Sequence, residues 1–94
     1  MIERKEREQN IQKIGIGKVV DSLKVDRKHK NGPEIHKITN TGIILVYNEY
    51  SGKLITKLIA RPGQIRRYYE NSDKSPKEEI LRIAREHQKM GLNK

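Results

Sequence analysis

The chain contains no cysteine, no tryptophan and no phenylalanine, and its only aromatics are four tyrosines. Without cysteine there is neither a disulfide framework nor a thiolate zinc site, and a reducing, cytoplasmic setting is the expectation. No stretch approaches the roughly 20 consecutive apolar residues of a membrane-spanning helix. The charged N-terminus lacks the apolar core of a signal peptide, so no membrane partner is expected. Gly15 and Gly17 are not followed by the further glycine and lysine of a phosphate-cradling loop, and there is no serine elbow. Asp26, His29, Glu34 and His36 do not have the spacing of a compact ligand motif, so neither metal nor cofactor is expected. With 94 residues, of which 33% are hydrophobic, the natural expectation is one domain with a modest core of Ile, Leu and Val.

What the sequence does have is positive charge. Twenty-one Lys and Arg against twelve acidic residues give a formal net charge of +9. On so short a chain this creates a field that draws polyanions and makes binding salt-dependent. Nucleic acid is therefore the leading partner class, with RNA or single-stranded DNA favoured. An acidic protein partner or inhibitor is the alternative. The oligomeric state is not legible from the sequence.

The pattern along the chain predicts an α+β fold. Residues 1–14 read as a polar helix or arm with no apolar stripe worth a core. Gly15-Ile16-Gly17 ends it. Residues 18–60 read as an antiparallel β-meander of about four strands. Its first strand, 18–26, places Val19, Leu23 and Val25 on one face and Lys24 and Asp26 on the other. Residues 27–33 form a basic loop ending in the turn signal Asn31-Gly32-Pro33. Residues 34–39 make a short strand and 43–48 an almost continuous apolar one, the central strand. In 53–60, Leu54, Thr56, Leu58 and Ala60 share one face, and Ile55, Lys57 and Ile59 the other. Residues 61–74 read as a basic, aromatic exit and linker: Pro62 and Gly63 suit a type II turn, and 64–70 begin a helical turn. The last helix, 75–91, takes Ser75 as N-cap, Pro76 at its first position and Glu78 to complete a capping box. Ile80, Leu81, Ala84 and His87 make its packing face, Ile83 and Met90 extend it, and Gly91 ends it.

Three groups of residues carry candidate chemistry. Arg61, Arg66 and Arg67, with Lys57 just upstream, offer cations for phosphate oxygens, while Tyr68 and Tyr69 offer ring faces for stacked bases. Arg27, Lys28 and Lys30, around His29, form a basic loop suited to backbone contact. His36 shares a strand face with Glu34 if Ile35 points inward, and an imidazole beside a carboxylate suits general acid–base work. The bland alternatives are solvated arginines, tyrosines in the core, and a histidine at the core edge.

The stretch 36–69 (HKITNTGIILVYNEYSGKLITKLIARPGQIRRYY) resembles the catalytic core of small bacterial ribonuclease toxins of the colicin and toxin–antitoxin type. The apolar strand Ile43–Asn48, the turn Ser51-Gly52, the strand Leu54–Thr56 and the exit Arg61-Pro62 carry the likeness. The chain departs from that pattern in lacking an N-terminal helical hairpin and in placing a helix at the C-terminus. The resemblance implies an antiparallel sheet with helices on one side and metal-independent cleavage of RNA. His36 would carry a proton, Arg61 and a neighbouring arginine would steady the phosphate, and Thr56 and Tyr68 would position substrate. Size and charge are also similar to those of small phage or prophage regulatory proteins. Binder, ribonuclease and regulatory protein thus stand as three readings, and the sequence alone leaves enzyme and binder both open.

Overall fold

The structure, a computed structural model, describes residues 4–25, 32–72 and 74–93. In chain order the elements are α1 (Arg4–Ile14), β1 (Val19–Val25), β2 (Glu34–Thr39), β3 (Ile43–Asn48), β4 (Leu54–Ile59), α2 (Pro62–Asn71) and α3 (Glu78–Lys89). The four strands form one antiparallel sheet in the order β1-β2-β3-β4, so the fold is α+β with a meander at its centre. Tight connections dictate this order. At the β3–β4 turn the Asn48 side chain accepts the amides of Tyr50 and Ser51, both at 2.9 Å, and locks the chain reversal. At the β2–β3 turn the Thr39 hydroxyl accepts the amides of Thr41 and Ile43. Gly42 passes through it at φ 82°, where a side chain would meet Ile83 of α3 at 2.9 Å.

Strand alternation divides the core in two. Leu23, Ile38, Ile44 and Val46 project to one face and are buried with Ile65 and Tyr69 of α2 and Ile80, Leu81 and Ala84 of α3. Ile43, Leu45 and Ile59 project to the other and meet Ile11 and Ile14 of α1. The helices therefore lie on both sides of the sheet, not on one side as the toxin resemblance implies. The expectation that α1 has no packing stripe is also corrected: Ile11 is 3% exposed, and Asn10 ties the helix to the Leu92 carbonyl at 3.3 Å.

Other expectations are revised by local physics. Pro62 and Gly63 open α2 rather than forming a type II turn, because proline's fixed φ suits the first turn of a helix equally well. The segment 61–74 is thus mostly helix. Helix α3 starts after Lys77, not Ser75. Lys77 is still extended (φ −69°, ψ 133°) with no side-chain cap, and Glu78 and Glu79 supply negative charge to the first turn instead. Met90 is 70% exposed and does not extend the packing face, whereas Gly91 adopts the expected positive φ of 73°. Val19 is 48% exposed, because an irregularity between Val19 and Asp21 breaks the alternation of β1. A bulge in β4 pairs Val46 with Thr56 but Tyr47 with Leu54, so Leu54 does not share the face of Thr56 and Leu58.

Candidate nucleic-acid interface

Where β4 runs into α2, the chain builds a cleft of about 750 Å³. Arg61, between Ala60 and Pro62, lines it. Its Nε donates to the Asn93 carbonyl at 2.6 Å, an anchor that uses one of five guanidinium donors. Asn93 is itself buried, and its amide donates to the carbonyls of Ala60 (2.8 Å) and Ala84 (3.3 Å). The C-terminal turn thus pins β4, α3 and, through Asn10, α1 around the cleft. Arg66 and Arg67, exposed on the first turns of α2, also line it.

A fourth arginine comes from α1. Arg7 lines the same cleft, reaches the Thr56 hydroxyl at 3.4 Å, and buries an Nε that has no partner among the described residues. Arg7 is the site residue that sequence reasoning missed. The available signal was its spacing to Ile11 and Ile14, four and seven residues on, which puts all three on one helix face. Helix α2 adds its own field. Arg61 occupies the N-cap and a guanidinium cannot accept a hydrogen bond, so no side-chain acceptor caps the first amides. Gln64 Oε1 accepts the Arg61 amide at 3.4 Å instead. Among the described residues, no Asp or Glu lines the cleft.

The other candidates fall elsewhere. Tyr69 is 1% exposed, and its hydroxyl donates to Asp21 Oδ2 at 2.6 Å, so it is a core residue and not a stacking surface. Burial, then the hydrogen bond and the charge of Asp21, push the Tyr69 phenol well above its ordinary value. Burial pushes Asp21 up, but the Tyr69 hydroxyl, the Ser22 amide and the charges of Lys74 and Lys77 outweigh it and leave the carboxyl lowered. Tyr68 is half-buried; its hydroxyl accepts Gln64 Nε2 at 3.2 Å, and its ring meets His36 edge-on, with centroids 4.7 Å apart.

His36 is 1% exposed on the face under α2. It shares that face with Glu34, as expected, and its Nε2 lies 3.1 Å from Glu34 Oε1. It is the half-buried Ile35 that faces the other way. Leu23, His36, Val46 and Thr56 form one row across the sheet. That row leaves His36 and Thr56 two strand spacings apart, about 10 Å. His36 does not line the arginine cleft, and the structure does not bring His36, Thr56 and Arg61 to one point. Lys57, on the opposite face, lines a smaller cleft with Arg7 and Thr56 between α1 and β4. Arg27, Lys28, His29 and Lys30 lie outside the described residues, as does Asp26. Among the described residues, no three His, Asp or Glu side chains converge as metal ligands. No described helix is long and apolar enough to cross a membrane. Comparison with protein-family models, curated proteins and solved structures finds no match.

Proposed function

We propose that this protein binds nucleic acid, and that the arginine cleft holds its phosphate backbone. One observation carries the reading: Arg7 of α1 joins Arg61, Arg66 and Arg67 of the α2 segment in one concave site whose described wall has no carboxylate. Four guanidinium groups beside an uncapped helix terminus attract phosphate oxygens in any sequence context. Like-charge crowding of this kind opposes folding unless an anion offsets it. Among the described residues no aromatic ring lines the cleft, so this site would grip the backbone without reading bases.

The ribonuclease reading draws less from the geometry. Among the described residues neither histidine nor carboxylate lines the cleft, and His36 is covered by Tyr68. A salt series of binding to labelled single-stranded RNA, duplex DNA and a tRNA pool tests the proposal. Wild type should bind with a steep slope. Arg66→Ala and Arg67→Ala should each lower that slope by about 0.7 to 0.9, the share of one phosphate contact. Absence of binding at moderate salt would overturn the reading and point to an acidic protein partner. Cleavage products that vanish in His36→Ala would replace binding alone with catalysis.

A further inference from the structure

Among the described residues, the sheet face that carries α1 is only partly covered. Helix α1 packs over Ile43, Leu45 and Ile59. Two rows fixed by the strand register follow, the first still under α1 at Leu45. Ser22, Lys37, Leu45 and Lys57 form one, and Lys24, Ile35, Tyr47 and Leu54 form the next. Three lysines from three strands thus stand on this face. Lys37 Nζ sits 4.8 Å from the centroid of the half-buried Tyr47 ring. The Lys24 side chain, 63% exposed, pairs at 3.3 Å with Glu49, the residue beside Tyr50 at the β3–β4 turn. Tyr50 is 80% exposed, the most exposed large apolar side chain among the described residues. In a chain with four aromatic residues, one held almost wholly in water adds nothing to the core.

We propose that this open end of the sheet is a platform for single-stranded nucleic acid, with Tyr50 as its base-stacking ring and Lys24, Lys37 and Lys57 as its phosphate contacts. The inference rests on the reading of nucleic acid as the ligand but uses a different surface from the arginine cleft. Charge complementarity selects the occupant. Lys24, Lys37, Lys57 and Arg7 outnumber Glu8 and Glu49 on this surface, an excess that disfavours a basic peptide and fits a phosphate backbone. An exposed ring at the β3–β4 turn, beside the Glu49 that pairs with Lys24, suits an unpaired base, whose π-face a duplex hides. Arg7 and Lys57 share the smaller cleft, and Arg7 also lines the larger one. One strand can therefore run from the sheet across the β4 edge into the arginines.

The test compares a 12-nucleotide oligouridine RNA with a blunt duplex at one moderate salt concentration. Tyr50→Leu should weaken binding of the oligouridine by about tenfold, within the usual range for loss of one stacked base. It should leave duplex binding and the thermal midpoint unchanged, and Tyr50→Phe should restore the affinity. Lys37→Gln should weaken oligouridine binding a few-fold and flatten its salt dependence. Equal oligouridine affinity for wild type and Tyr50→Leu, with Arg66→Ala still defective, would overturn the platform and leave the cleft reading standing. Wild type that binds neither ligand would overturn both.

Discussion

The two faces of the sheet differ in how much of them is closed. Under α2 and α3, Leu23, Ile38, Ile44 and Val46 are at most 3% exposed. On the other face α1 covers Ile43, Leu45 and Ile59, and Lys24, Lys37 and Lys57 interleave with Ile35, Tyr47 and Leu54 over the remainder. A chain this poor in large apolar side chains completes one dense core and has little left for a second. The difference teaches that stability should be concentrated under α2 and α3 and ligand affinity on the open face and its edge. Truncation on either side of β3 gives the largest expected contrast. Ile44→Ala removes a fully buried side chain from the dense core and should cost about 3–5 kcal/mol. Leu45→Ala, at a site 8% exposed where the cavity can partly fill with water, should fall near 2 kcal/mol. Urea denaturation measures both, and equal losses would break the contrast.

A polar clamp holds α2 to the dense face, and pH addresses it from both ends. Tyr69 donates to Asp21 at 2.6 Å, joining α2 to β1. Asp21 is lowered in the fold, so its contribution is present above the ordinary carboxylate value of about 3.9 and is lost as pH falls through the folded value. Tyr69 is raised, so its contribution is present below about pH 10 and is lost as pH rises through the folded value. Tyr69→Phe should cost about 1.5–3 kcal/mol near neutral pH, the usual effect for a hydrogen bond to a charged group. It should also flatten both limbs of the stability profile. A profile identical to wild type, shifted uniformly, would show that other groups set the pH dependence.

The sequence announced these differences unevenly. The β-branched run Ile43–Asn48 and the turn signals at Asn31-Gly32-Pro33 and Ser51-Gly52 made the meander legible, because period and turn chemistry are local. The cluster Arg61, Arg66 and Arg67 was legible as charge. Helix α2 was legible as a helical turn over 64–70 but its start was not, since Pro-Gly after a strand suits a turn and a helix start alike and the N-cap, Arg61, gives no capping signal. The inward direction of His36 and the burial of Tyr69 depend on which face α2 covers, which no local pattern states. The contribution of Arg7 depends on the C-terminal turn reaching Asn10 across 82 positions of sequence. The rows of Lys24, Lys37 and Lys57 depend on register and on the β4 bulge, so they became visible only when the strands were paired.

The smallest expected effect on stability is also the one that most sharply separates the faces. Lys24 and Glu49 form an ion pair with side chains 63% and 32% exposed. Water and salt screen such a pair, and its two long side chains lose rotamer freedom, so Lys24→Ala should change stability by less than about 1 kcal/mol. The same substitution removes one of the three lysines of the open face. It should therefore reduce the salt slope for single-stranded RNA by about 0.7 while the urea midpoint barely moves. The reverse pattern, a shifted midpoint with an unchanged slope, would assign Lys24 to holding the β3–β4 turn. The open face would then be a structural surface and not a binding one.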